Sequence, residues 1–418
     1  MLILEGLLLA PALLLLVPAA TFAGEVFLAR RRPQADKQNH PFTADGPRPR
    51  AVVLIPAHNE ATGIVGTLQS VRSQLGPDDR MLVVADNCSD DTAERARAEG
   101  AIVVERFDTA LRGKGYALDR GIRWLEEQEQ QGVAAPAVVV FVDADCTLSP
   151  GSLERMSREA VRLGRPVQIL DLMHAPPGAP LQQKVAEFAW LVKNQVRPLG
   201  LKALGLPCQL MGTGMAIPWH LVRDAHMASG HLAEDMELGL AFAEAGVAPV
   251  FCPEASVHSR FPMQAAGGQA QRRRWEHGHL AMIRARGLPM LWRGLITRQP
   301  ELLAIALDMC VPPLASLVAA QLGLLLLTAI FWLVSGAALP LLLVLAGWLA
   351  VCVAVGLAWS RFGRGVLSAA EWAAIPGYVL AKLPIYRDAL LGRRAGWQRA
   401  QRDADAPGVP PKEPPSQP

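Results

Sequence analysis

Three long apolar stretches constrain this 418-residue chain more than any other feature. Residues 7–23 are nearly all apolar, interrupted by Pro11 and Pro18. Residues 311–334 and 338–359 are each long enough to cross a bilayer. The link Ser335-Gly336-Ala337 is short, so the last two stretches form a hairpin. Arg30, Arg31 and Arg32 follow the first stretch, whereas a secretory signal carries its basic residues first. Residues 1–29 therefore read as an uncleaved anchor with its C-terminal side in the cytoplasm, and a cleaved signal is the alternative. Arg361 and Arg364 mark a cytoplasmic return. Residues 366–402 begin apolar, carry Glu371 and Lys382, and end in a basic run; they read as an interface helix or a third C-terminal membrane helix. Residues 403–418 read as a disordered tail.

Hydrophobic residues make up 51% of the chain, and the excess sits at these two ends. The net charge of +3 says little about partners, and no nucleic-acid partner is expected. The six cysteines lie far apart, which fits reduced thiols rather than a disulfide framework or a zinc site.

Residues 30–50 are polar and proline-bearing, a linker. Between the apolar ends, residues 51–285 alternate strand and helix patterns. "AVVLIPA" (51–57) predicts a buried parallel strand, 62–75 a helix, 81–87 a second strand and 101–105 a third. Ser89 reads as an N-cap with Asp90 and Asp91 in the first turn of a helix. A helix over 114–130 then leads into "AVVVFVDADC". That alternation implies an α/β domain with a mostly parallel sheet, in which ligands bind beyond the carboxyl ends of the strands.

The candidate site residues fall at such ends. Asp143 and Asp145 lie one residue apart, so the strand period puts both carboxylates on one side. Two hard oxygen donors suit Mg²⁺ or Mn²⁺, although two solvated acids in a loop would look the same. Pro56, His58, Asn59 and Glu60 sit at the end of the first strand, and Asp86 and Asn87 at the second. An Asp there can accept from a base edge or a ribose. Lys114 between two glycines in "LRGKGYAL" suits a phosphate, or is a solvated lysine in a flexible loop. Glu234 and Asp235 open a helix-forming segment, where acids also favour the helix dipole. His277 and His279 have no evident third ligand and read as structural or acceptor-lining. Residues 286–310 mix arginines with apolar side chains, as an amphipathic interface helix would.

In order, the chain carries "IPAHNE", "ADNCSDDT", "RGKGYAL", "VDADC", "GTGMAI", "LAEDMELG" and "QRRRW". The series resembles family 2 glycosyltransferases, and more narrowly the membrane branch with cellulose, hyaluronan and poly-N-acetylglucosamine synthases and ceramide glucosyltransferase. The resemblance implies a nucleotide-diphospho-sugar transferase (GT-A type) domain with a mixed, mostly parallel sheet, and membrane and interface helices at both ends. It implies that Pro56, His58, Glu60, Asp86, Lys114, Asp143 and Arg274 bind a UDP-sugar, and that Asp143 and Asp145 hold a divalent metal. Asp235 would be the general base with Glu234 beside it, and Gly212, Thr213, Gly214, Gln271 and Trp275 would border the acceptor. Those residue types suit inverting transfer, which needs a cation for the leaving diphosphate and a carboxylate for the attacking hydroxyl.

The implied protein is multi-pass in a bacterial inner membrane, with a cytoplasmic catalytic domain. Its partners are a glycan or lipid-linked acceptor and, for a polymer, export proteins. The best-known synthases bring more membrane helices than this chain offers. Polysaccharide synthesis leads, single addition to a membrane lipid follows, and a non-catalytic nucleotide-sugar-binding partner stands third, against the retention of Asp143, Asp145, Asp235 and Arg274.

Overall fold

The computed structural model describes residues 2–30, 46–225, 227–228, 234–262, 275–375 and 377. Its principal helices, in chain order, are α1 (Leu2–Leu28), α2 (Ile64–Arg72), α3 (Thr92–Ala98), α4 (Lys114–Gln130), α5 (Ser152–Leu163), α6 (Leu181–Leu191), α7 (Arg197–Lys202), α8 (Glu234–Glu244), α9 (Leu288–Ile296), α10 (Pro300–Met309), α11 (Leu314–Ser335) and α12 (Leu339–Ala358). The strands are β1 (Ala51–Ala57), β2 (Arg80–Asp86), β3 (Ile102–Arg106), β4 (Val138–Phe141), β5 (Thr147–Leu148), β6 (Val167–His174), β7 (Met215–Pro218) and β8 (Val250–Arg260). Two compact units emerge. Among the described residues, one draws on 2–30, 178–209 and 275–377, the other on 46–177 and 210–262.

The second unit holds a single eight-stranded sheet in the order β3-β2-β1-β4-β7-β6-β8-β5. β1 to β4 pair in parallel, β7 runs antiparallel to β4 and β6, and β6 pairs in parallel with β8. Because side chains alternate across a strand, β1 feeds both faces. Val53 and Ile55 join the core under α2 and α5, while Val52 and Leu54 join the core under α4 and α8. Burial on both faces explains why these strands read as continuous apolar runs. α3 begins at Thr92 with Asp91 at its N-cap position, so Ser89 does not cap it and Asp90 and Asp91 precede its first turn. Asp90 accepts the Thr92 backbone N–H at 3.1 Å, while Ser89 N–H is taken by Asn59 Oδ1 at 2.7 Å.

In the first unit, Ile3–Leu28, Leu314–Ser335 and Leu339–Gly363 are long and apolar enough to cross a membrane. α1 packs on α12 and α11, with Ala12, Leu324 and Val344 in one cluster and Phe22, Val351 and Ala354 in another. The buried Arg197 ties α1 and α10 to α7. It donates to Glu25 Oε2 at 2.7 Å and to Asp308 Oδ1 at 2.5 Å. Residues 178–209, expected within the catalytic region, fold into this unit. The span 286–310 is two helices, α9 and α10, separated near Arg298, whose φ is 54°. Residues 31–45, 378–418 and the tail lie outside the described residues.

Candidate active site

β4 ends at Phe141, and Asp143 to Cys146 make a turn closed by Cys146 N–H donating to the Asp143 carbonyl at 3.0 Å. Two threonines brace that turn. Thr67 Oγ1 donates to the Ala144 carbonyl at 2.8 Å, and Thr213 Oγ1 accepts the Asp143 N–H at 3.1 Å. The loop carrying Thr213 is fixed in turn by Gln168 of β6, which has no solvent exposure. Gln168 Oε1 accepts the Met211 N–H at 2.8 Å, and Nε2 donates to the Thr213 carbonyl at 2.9 Å. Buried polar atoms need such partners, so Gln168 specifies the loop's path.

Gly212, at the loop's crest, has φ of 87°, a left-handed conformation that suits glycine. Its carbonyl accepts from Lys114 Nζ at 2.8 Å, and the same ammonium lies 2.5 Å from Asp143 Oδ1. A β-carbon at Gly212 would lie 3.2 Å from Asp235 Oδ2 and 3.4 Å from Lys114 Nζ. Lys114 at the start of α4, Asp143 after β4, and Asp235 in the first turn of α8 thus meet around one loop. Burial works against the Lys114 charge, but Asp143, Glu234 and Asp235 outweigh it and raise the lysine pKa. Burial raises the Glu234 carboxyl, against the pull of Lys114 and with the help of Asp235. Asp143 is raised for the same reason, Asp145 adding to burial and Lys114 opposing it.

The donor set fits a divalent ion through oxygen. Asp143, Asp145 and Cys146 offer ligand atoms all within 4.8 Å of one another. Hard divalent ions prefer oxygen, so the two carboxylates are the fitting donors; burial, then the charges of Asp145 and Asp143, push the Cys146 thiol well up.

A second cluster forms where β1, β2 and β3 end. His58 Nδ1 donates to the Asp86 carbonyl at 2.6 Å. Arg106 Nη1 donates to Asp86 Oδ1 at 2.7 Å, with Asn87 Nδ2 on the same oxygen at 3.1 Å. Asn87 Nδ2 also donates to the Asp108 carbonyl, and the Asp108 N–H donates back to Asn87 Oδ1. Buried Glu60 joins through its N–H, which donates to Thr92 Oγ1 at 2.8 Å. Pro56 lies one residue before the end of β1. Asn59 and Asn87 both take positive φ, near 54° and 52°. Arg106 was not read from the sequence, because the third strand was expected to stop at Glu105. The strand continues by one residue, and the strand-end logic that found Asp86 then applies.

Thr213 and Gly214 belong to the braced loop. Trp275 falls in the other unit, its ring 4.9 Å from that of Trp190. Gln271 and Arg274 lie outside the described residues. His279 is buried and donates from Nε2 to the Met309 carbonyl at 2.9 Å, which accords with a structural role.

The model of the family described as "Glycosyltransferase like family 2" matches residues 47–278, more than half of the chain. This chain belongs to glycosyltransferase family 2. A comparison with curated protein sequences returns no match. Among solved structures, it is similar to the mannosyltransferase PcManGT from Pyrobaculum calidifontis, solved with GDP-Man and Mn²⁺. The identity is 16%, the match covers 93% of this chain and 100% of that one, and the TM-score is 0.50. It is also similar to glucosyl-3-phosphoglycerate synthase from Mycobacterium tuberculosis, solved with Mg²⁺ and UDP. There the identity is 23%, the match covers 55% of this chain and 79% of that one, and the TM-score is 0.35. The first likeness bears on the fold, a GT-A glycosyltransferase architecture with three candidate membrane helices.

Proposed function

We propose that this family member is a membrane-bound inverting glycosyltransferase that moves a sugar from a UDP-sugar onto a growing polysaccharide or another envelope glycan. The observation that carries the reading is the convergence of Lys114, Asp143 and Asp235 on the Gly212 loop, beyond the carboxyl ends of parallel strands. The Asp86 carboxylate, oriented by Arg106, accepts a uracil N–H, with Pro56, His58 and Glu60 shaping that end of the pocket. Lys114 faces the diphosphate as a point charge. Asp143 and Asp145 would hold Mg²⁺ or Mn²⁺, which would supply positive charge against a departing diphosphate. Asp235 takes the proton of the incoming hydroxyl, and Glu234 beside it tunes the local charge. Gly212, Thr213 and Gly214 border the acceptor; the sequence resemblance alone assigns Gln271 and Trp275 to the acceptor and Arg274 to the phosphates.

Arg30, Arg31 and Arg32, which follow the first span in the sequence, support a catalytic domain on the cytoplasmic side of the membrane, in our reading a bacterial inner membrane. α9 supports contact with that membrane, since Leu288, Trp292, Leu295 and Ile296 are exposed on a short helix that also carries Arg293. One observation favours the second reading, single addition to a membrane lipid. Among the described residues, the three candidate spans pack on one another through apolar side chains, and a polysaccharide crossing there would need partner proteins.

The test is incubation of membranes with radiolabelled UDP-glucose, UDP-N-acetylglucosamine and related donors. Long products support polysaccharide synthesis, one organic-soluble product supports lipid glycosylation, and transfer from none refutes both. Asp235→Asn is expected to abolish transfer and keep UDP binding; unchanged turnover in that variant removes the base assignment.

A further inference from the structure

We infer that Lys114 is an exchangeable counter-ion of Asp143, so that a divalent cation and a nucleoside diphosphate bind this site cooperatively through the release of one lysine. The inference rests on the donor-site reading above. It starts from a contact: Lys114 Nζ sits 2.5 Å from Asp143 Oδ1 and donates to the Gly212 carbonyl at 2.8 Å. The ammonium therefore holds the carboxylate that a metal ion would need. A divalent cation coordinates carboxylate oxygen at about 2.0–2.2 Å. A cation on that oxygen would bring two positive centres within a few ångströms of each other. Their repulsion favours a shift of the more mobile one.

Lys114 can move. It is the first residue of α4, its charge rides on a flexible four-carbon stem, and its side chain is 26% exposed. What it lacks in the free protein is a better anion. Asp143, Glu234 and Asp235 already surround it, and all are fixed to the protein. A diphosphate changes the balance, because it brings mobile negative charge to which an ammonium binds well. Lys114 then turns from Asp143 to the phosphates, and Asp143 is freed for the cation. By reciprocity, the nucleotide tightens cation binding by the same factor as the cation tightens nucleotide binding. Phosphate oxygens that ligate the metal directly would also couple the two ligands, but that part of the coupling does not depend on Lys114. Substitution of the lysine separates the contributions.

The experiment measures Mn²⁺ binding to the purified full chain in detergent, with and without UDP, by calorimetry and by the Mn²⁺ electron-spin signal. Lys114→Met is expected to bind Mn²⁺ alone about tenfold more tightly than the wild type, and the enhancement by UDP to shrink by about the same factor, within the usual range of coupling. Lys114→Gln keeps a donor for the Gly212 carbonyl without the charge and is expected to behave alike, which covers a folding defect in the Met variant. Lys114→Arg keeps the positive charge and is expected to bind Mn²⁺ alone less tightly than both neutral variants. Mn²⁺ affinity in both neutral variants no higher than wild type, with native unfolding profiles, overturns the inference and leaves the donor-site reading standing. No Mn²⁺ binding by any chain, with or without UDP, overturns both.

Discussion

Replacement of Arg106 by Met tests the least expected part of the donor site. Arg106 holds three acceptors: Asp86 Oδ1 at 2.7 Å, Asp108 Oδ2 at 3.2 Å and the Leu111 carbonyl at 2.8 Å. The side chains of Arg106 and Asp86 are only 12% and 9% exposed. At 2.7 Å and an effective dielectric constant near 20, unit charges attract by about 6 kcal/mol, before the cost of desolvating both. Removal of one partner from a buried pair strands the other charge and costs about 3–5 kcal/mol. Arg106→Met should therefore lower the unfolding free energy by about 3–5 kcal/mol, measured by denaturant titration in detergent. UDP affinity should fall about tenfold or more, since Asp86 keeps only Asn87 to orient it. Asp86→Asn combined with Arg106→Met removes the stranded charge, so the double variant should be no less stable than Arg106→Met alone. A single variant within about 1 kcal/mol of wild type, with unchanged UDP affinity, would refute the reasoning.

Gly212→Ala should slow transfer about a hundredfold while weakening UDP binding far less. A β-carbon there lies 3.2 Å from Asp235 Oδ2 on a backbone with φ of 87°, and small displacements of a reacting group carry rate costs of that order. A normal turnover number in steady-state kinetics would remove Asp235 from the reacting position. His279 sets a pH dependence. Burial, helped by the Lys193 charge, lowers its pKa from the ordinary value near 6.5 to about 4. The neutral ring thus supports the fold fully above about pH 6.5, and that support drains away as pH falls toward 4, a loss of about 3 kcal/mol in all. Unfolding midpoints at pH 7 and pH 5 should differ less in His279→Gln than in the wild type; equal slopes would contradict the assignment.

Much of the sheet was legible, for local reasons. β1 begins and ends where an apolar run meets Pro56 and Ala57, and α4 begins at the lysine after Gly113, residue for residue as expected. The positions of Asp143 and Asp145 past a strand end were legible from the apolar run before them, and that of Lys114 at a helix start from its flanking glycines. Their mutual contact was not, since Lys114 and Asp143 are brought together by two strands and a loop, not by spacing. Gln168 was invisible for a related reason. It lies in a strand that mixes apolar residues with Asp171 and His174, and its partners at Met211 and Thr213 lie more than forty residues on. Residues 178–209 carry helical patterns that say nothing about which unit they pack with. The Ser89 expectation failed because the Asp90 carboxylate takes the Thr92 N–H, while the Ser89 hydroxyl turns to Asn59 Oδ1, which comes from another strand end.

The ion triad of Arg197 has a practical corollary for anyone preparing this enzyme. The first helix is more than a tether that could be trimmed to obtain soluble material. Deleting it removes Glu25 and leaves a guanidinium in an apolar interior with Asp308 as its remaining acidic partner. Truncated preparations should accordingly be judged by their folding before their silence is blamed on catalysis.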